Sequence, residues 1–264
     1  MMTGSFDPSS ARTQAPTGMA PAQTAAVDVW DLQLDQPHDV TSELTKTLDS
    51  DELARADSFK NSCDQKHFAV AHGMMRATLA TYVGQTAASL RFDRNSFGKP
   101  ELVDLRGAGK VEFNLSRRGG RALLAVTRDE AVGVDLESVR DDCDCLAIAE
   151  IFFTPSERAF LRETEPEHRS GVFLRCWTLK EAYVKAIGIG LSDGLNRFDV
   201  SPLLRDPDAA KPIRGSVGQQ GPLFGHMLDV GPSHVASLVI RCAEPLIRLR
   251  TFSATGIKKE WRGL

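Results

Sequence analysis

Val27 to Leu34 (VDVWDLQL) alternates apolar and polar residues, the period of a half-buried strand. Thr41 to Leu48 reads as a short helix. From Asp51 to Tyr82 apolar residues recur at helical spacing, among them Phe68, Val70, Ala71, Met74, Met75 and Leu79. That predicts a helix pair or one long helix, ended by Gly84. Leu90 to Asp93 is a short strand candidate, followed by a turn through Phe97-Gly98-Lys99-Pro100. Val111 to Asn114 and Arg121 to Thr127 read as strands joined through Ser116-Arg117-Arg118-Gly119-Gly120, and Val132 to Leu136 as a third.

The second half repeats these kinds of element. Cys145 to Phe153 and Pro155 to Glu163 read as helical, and Gly171 to Ile187 is the best-defined helix, stopped near Gly188 and Gly190. Pro202 to Gly221 is polar and turn-rich, a loop or hairpin excursion. Leu223 to Val230, His234 to Arg241 and Leu246 to Phe252 then supply three strands with hairpin-like breaks. Helices and strands come in blocks rather than strict βαβ alternation, which predicts an α+β fold with antiparallel sheets.

Composition changes this picture little. With 264 residues the chain makes one large or two small domains, and a hydrophobic fraction of 42% with 25% charged residues is ordinary for a soluble globular protein. Residues 1–26 are rich in Ser, Thr, Pro, Ala and Gly and lack the basic and apolar regions of a signal peptide, so they read as a disordered tail. Residues 27–128 and 129–264 then form an N-terminal and a C-terminal α+β half. A net charge of -3 gives no global reason to expect nucleic acid or an anionic membrane as partner. No apolar run reaches membrane-spanning length, and a soluble, cytoplasmic protein is expected. Five cysteines without framework spacing fit a reducing setting, and Cys143-Asp144-Cys145 lacks the second pair a zinc site needs. The six histidines are scattered, so histidine-bound metal is not expected.

Two segments carry candidate chemistry. In Val132-Gly133-Val134-Asp135-Leu136-Glu137, strand alternation puts Asp135 and Glu137 on one face, and Gly133 leaves room for something to approach the backbone. Two like charges on one face need solvent, a cation or basic groups to neutralise them, and Mg²⁺ prefers such oxygen ligands beside substrate phosphates. In Trp177-Thr178-Leu179-Lys180-Glu181-Ala182-Tyr183-Val184-Lys185, Glu181 and Lys185 lie one helical turn apart, with Trp177 a turn earlier on the same face. Taken singly, the first segment is also compatible with an exposed strand end and the second with a solvated helix pair. The chain has neither a GxxxxGK[ST] phosphate loop nor a kinase signature set, which disfavours a nucleotide hydrolase.

Together, VGVDLE and, about forty residues later, WTLKEAYVKAIGIGLS resemble the paired signature of the Sfp-type 4'-phosphopantetheinyl transferases. Phe97-Gly98-Lys99-Pro100, Phe113-Asn114-Leu115-Ser116 and Phe152-Phe153-Thr154-Pro155-Ser156-Glu157 are similar to further family segments, so the resemblance spans roughly Val27 to Phe252. It implies a pseudo-dimer of two similar halves with the active site between them. The implied reaction moves the 4'-phosphopantetheine arm of coenzyme A to a serine of an apo acyl or peptidyl carrier protein and releases 3',5'-ADP. By the same resemblance Asp135, Glu137 and Glu181 would hold Mg²⁺, with Glu181 also the candidate base. Lys180 and Lys185 would contact phosphates. Lys99, Ser116 and Arg76 would hold the coenzyme. Arg117 stands where the family has histidine, and arginine can grip phosphate in its place. His67 falls near a basic contact position of the family. Arg158, Arg162, Arg169 and Arg175 beside Phe152 and Phe153 are candidates to meet an acidic carrier helix. A monomer is the expected state, and a carrier-binding protein without turnover is the rival reading.

Overall fold

A computed structural model describes residues 25–103, 109–139, 144–188, 194–207, 211–213 and 221–252. Residues 1–24 of the expected tail, Cys143 and parts of the 202–221 excursion lie outside the described residues.

The first strand, β1 (Ala26–Gln33), has the expected alternation: Val27 and Val29 face one core, Leu32 and Leu34 another. Next come α1 (His38–Thr45), α2 (Ser50–Asp57) and α3 (Ser62–Val83). The apolar pattern from residue 51 is therefore a helix pair, broken where Asn61 caps α3 through the Cys63 amide. Asp49 and Glu52 form a capping box on α2, and Gly84 ends α3 in the left-handed region at φ 64°. A hairpin of β2 (Arg91–Arg94) and β3 (Pro100–Val103) follows. Pro100, expected in a turn, opens β3, the position where proline costs an edge strand nothing.

The hairpin of β4 (Val111–Arg118) and β5 (Arg121–Arg128) turns on Gly119 and Gly120, and β6 is Val132–Ser138. Then come α4 (Cys145–Phe152), α5 (Pro155–Glu163) and α6 (Pro166–Ile187). The last starts before the expected Gly171 because Pro166 opens it at a first-turn position, ahead of the apolar spacing. A short helix α7 (Ser201–Arg205) occupies the start of the expected loop and leads to β7 (Phe224–Leu228), β8 (His234–Ile240) and β9 (Leu246–Thr251).

Strand order is β4-β5-β1-β9 in one sheet and β6-β8-β7 in another. This corrects the reading of residues 223–252 as three successive hairpin strands. β9 leaves β8 and pairs parallel to β1, Val29 opposite Leu249. Its Arg248 and Arg250, two apart and so on one face, both reach the buried carboxylate of Asp28 at 2.7 and 2.8 Å. Helix α3 packs on one sheet and α6 on the other, while Val27, Val29, Leu123 and Ala125 meet Val132, Val134, Leu136 and Leu238 between them. The result is α+β, layered helix, sheet, sheet, helix.

Candidate active site

The inner edges of the two sheets, β4 and β6, meet through side chains. Asn114 Oδ1 accepts the Val134 amide at 2.9 Å and Ser116 Oγ accepts that of Leu136 at 3.3 Å. Parity then assigns the rest. Asn114, Ser116 and Arg118 turn toward β6, while Phe113, Leu115 and Arg117 turn toward α3. On β6, Val132, Val134 and Leu136 enter the core between the sheets, leaving Gly133, Asp135 and Glu137 toward α6. A Cβ on Gly133 would lie 2.0 Å from the Ala182 carbonyl and 2.4 Å from the Ala186 amide. What approaches the backbone at this glycine is therefore α6 itself.

That close approach brings the two motifs together. Asp135 Oδ1 accepts hydrogen bonds from Lys185 Nζ at 2.5 Å and from Ser116 Oγ at 2.8 Å. Ser116 also accepts from Lys185 at 3.1 Å. Glu137 pairs with Arg118 at 2.9 Å. Glu181 is buried, which pushes its pKa up to about 7; Lys185 pulls it down, and Asp135 and Glu137 add to the rise.

Among the described residues no three donors are already drawn together as a metal cage. Lys185 and Arg118 sit on two of the three carboxylates instead. The donor chemistry nonetheless fits a hard divalent cation. Three carboxylates face two cations, and Asp135 Oδ2 is buried with no hydrogen-bond partner among the described residues.

Several sequence-assigned residues stand elsewhere. Lys180 is wholly buried: its Nζ meets Glu157 at 2.9 Å, the Leu195 carbonyl at 2.7 Å and the Phe198 carbonyl at 2.8 Å. An ammonium has three donors, so none is left for a phosphate. Arg76 is likewise fully buried, paired with Asp49 and Glu52 and donating to the carbonyls of Ala87 and Leu90. It locks α3 to α2, with its guanidinium spent on groups of the interior. Lys99 is partly buried, its Nζ 3.3 Å from the carbonyls of Val132 and Ala186. It caps the C-terminal end of α6 with Asn95, which donates to the Gly188 carbonyl at 3.0 Å. Burial pushes the Lys99 pKa down, against the opposing charge of Glu112.

Arg117 is half-buried over the rings of Phe59 and Phe68, and Arg55 lies over the same Phe59 ring. Burial pushes the Arg117 pKa down; Asp64 opposes the shift and Arg55 adds to it. Two guanidiniums on one aromatic ring form a positive corner suited to an anion. His67 lies close by in the chain, buried and bonded to Asp35 at 2.8 Å. Along α6, Phe152 is exposed and meets Trp177 edge-on, but Phe153 is core, stacked on Phe173. Arg158 and Arg162 both pair with Glu150, and Arg169 bonds the carbonyls of Leu161 and Thr164. Arg118 and Arg55, and the bond of Asn114 to β6, are not among the sequence expectations. Arg118 was findable, since it is two residues after Ser116 as Glu137 is two after Asp135.

Residues 131–230 match the family model of the 4'-phosphopantetheinyl transferase superfamily, and residues 36–129 that of the 4'-phosphopantetheinyl transferase N-terminal region. The chain is 39% identical over 166 residues to the 4'-phosphopantetheinyl transferase HetI of Nostoc sp., covering 63% of this chain and 70% of that protein. The chain belongs to the 4'-phosphopantetheinyl transferase family. Other members include the phosphopantetheinyl transferase of Thraustochytrium sp., 32% identical over 187 residues, 66% of this chain and 65% of that one. Another is the mouse L-aminoadipate-semialdehyde dehydrogenase-phosphopantetheinyl transferase, 31% identical over 172 residues, 61% of this chain and 55% of that one. The chain thus spans between 55% and 70% of the length of these relatives. The junction between the two matched regions falls just before β6, so the family's two models meet where the two sheets do. Among the described residues no helix is long and apolar enough to cross a membrane.

Proposed function

We propose that the protein transfers the 4'-phosphopantetheine arm of coenzyme A to a serine hydroxyl of an apo carrier protein, releasing 3',5'-ADP. The observation that carries this reading is the convergence of Asp135, Ser116, Lys185 and Glu181 at the seam of the two halves, in a chain of this family. On this reading the molecule is a pseudo-dimer whose active site lies at that seam.

In the reaction the serine oxygen forms a bond to the phosphorus bearing the pantetheine. The bond from that phosphorus to the bridging oxygen of the pyrophosphate breaks, and the electron pair leaves with 3',5'-ADP. Lys185 compensates charge on the departing phosphate. Glu181 accepts the serine proton, directly or through a bound water. Ser116 holds Asp135 and Lys185 in register. Arg117 and Arg55 grip a phosphate of the nucleotide end. Asp135, Glu137 and Glu181 are the residues that would hold Mg²⁺, which supplies charge neutralisation on the pyrophosphate oxygens when bound. The partners are coenzyme A and acyl or peptidyl carrier domains, with no nucleic acid or membrane required, and the chain acts as a cytoplasmic monomer.

The test is intact-mass spectrometry of apo carrier proteins of fatty-acid, polyketide and peptide type incubated with the protein, coenzyme A and Mg²⁺, against a chelator control. A metal-dependent gain of one phosphopantetheine on the carrier serine is expected. No gain on any carrier, with coenzyme A still bound, would leave a binding protein without turnover.

A further inference from the structure

Lys180 lies inside the motif that marks the family, next to Glu181, yet every donor of its ammonium is spent in the interior. Its residue type must answer to something other than a phosphate. We propose that the Glu157–Lys180 pair is a positioning device that fixes the rotation of α6 about its own axis and so aims Glu181 at Asp135. This rests on the reading of Glu181 as part of the transfer site.

The contact that brings α6 onto β6 is made of Gly133 against the backbone at Ala182 and Ala186. Small residues allow a close approach but offer no side chains that interlock, so this contact fixes distance better than rotation. Thr178 adds one hydrogen bond to Ser237 of β8 at 2.7 Å. Packed side chains of α6, among them Phe173, Leu179 and Tyr183, limit rotation further, and Lys180 adds a directional polar anchor next to Glu181. The partners of Lys180 are anchored in turn: Glu157 Oε1 also accepts the Val200 amide and Oε2 the Thr154 amide, each at 2.8 Å. The start of α5, the 195–200 segment and α6 therefore converge on one buried ion pair whose geometry is over-determined. Successive helical residues differ by about 100° around the axis, so holding Lys180 holds Glu181. Apolar groups of the same volume could fill this space without loss of stability. They would not specify one rotation.

The test compares Lys180→Met, Glu157→Gln and the double variant, which leaves no unpaired buried charge. Melting temperature, coenzyme A affinity by calorimetry with Mg²⁺, and kcat on an apo carrier are measured, with the wild type in the same assay. A wild type that transfers nothing would refute the proposed function itself, separately from this inference. With an active wild type, the double variant is expected to fold and to bind coenzyme A as the wild type does. Its kcat should fall about 100-fold, the scale of an ångström-level misplacement. Each single variant should lose about as much as the double, since the pair acts as one unit. Weakened coenzyme binding by Lys180→Met with normal binding by Glu157→Gln would overturn the proposal in favour of a phosphate contact. A double variant with wild-type kcat would overturn it in favour of an inert strut. A double variant that does not fold would overturn it too, because the pair would then hold the fold together rather than aim a helix.

Discussion

Around β4 and β6 the parity of a strand decides what each charged residue does. Ser116 and Arg117 are neighbours in sequence but face opposite sides of β4, one bonded to Asp135, the other stacked over Phe59 and Phe68. Different losses follow for the two sites. Asp135→Ala removes the acceptor that holds both Lys185 and Ser116. Transfer should fall below about 1% of wild type, the scale seen when a charge-stabilising group is removed, with the far-UV spectrum unchanged. Arg117→Ala should weaken coenzyme A binding about 10-fold, roughly 1.4 kcal/mol, and raise KM while leaving kcat nearly intact. That split is the mark of a contact made equally in the ground and transition states. Steady-state kinetics on both variants would check it; an Arg117→Ala enzyme with normal KM would remove Arg117 from the coenzyme site. Arg118, on the Asp135 side of the strand, is set to compensate Glu137.

Elements meet at a few residues whose type cannot change. Gly133 has no space for even a methyl group against α6. Gly133→Ala must push α6 from β6, costing about 1–3 kcal/mol by overpacking and separating Asp135 from Lys185, so thermal melting and kcat should both decline. In the N-terminal half α2 and α3 are joined by Arg76, fully buried between Asp49 and Glu52. Arg76→Met strips Asp49 of its guanidinium and leaves Glu52 paired with His72, and should cost about 3–5 kcal/mol. The same cluster confers a pH dependence. Burial alone would raise the Glu52 pKa, but the His72 hydrogen bond and the Arg76 charge outweigh it and leave the pKa lowered. A carboxylate with a depressed folded pKa gives stability that is complete above its unfolded value and lost as pH falls through the folded one. Denaturant unfolding of Glu52→Gln should therefore lose less on acidification below the ordinary carboxylate range than the wild type does. Parallel acid limbs for the two proteins would refute the assignment.

At the scale of the molecule, β9 ties the last described strand to the first. Asp28 is buried beside Tyr82, whose hydroxyl donates to it and whose pKa is pushed up to about 12 by burial and by that carboxylate. Arg248 and Arg250 supply the positive charge that makes this burial tolerable. Truncation before Leu246 should lower the melting temperature by uncovering β1 and stripping Asp28 of both guanidiniums; an unchanged melting curve would show β9 to be dispensable. Much of this architecture was legible in the chain. Alternation from Val27, helical spacing through Leu79, and the glycines at 84 and 188 are local statements, and local steric and solvation rules suffice to read them. The acidic pair on β6 and the Glu181–Lys185 turn were legible for the same reason, since periodicity alone puts each pair on one face. The sequence could not tell which charged residues would be buried. Lys180, Lys99 and Arg76 look like ligands of a phosphate when read along the chain. Each proves to be a strut, two of them fully buried, because the partners that consume its donors lie 11 to 87 residues away. The placement of β9 was hidden likewise: a hairpin is the default for neighbouring strands, and only a buried carboxylate 220 residues distant gives Arg248 a reason to leave. Periodicity is written in neighbours, but the neutralisation of a buried charge depends on whatever residue the fold brings beside it.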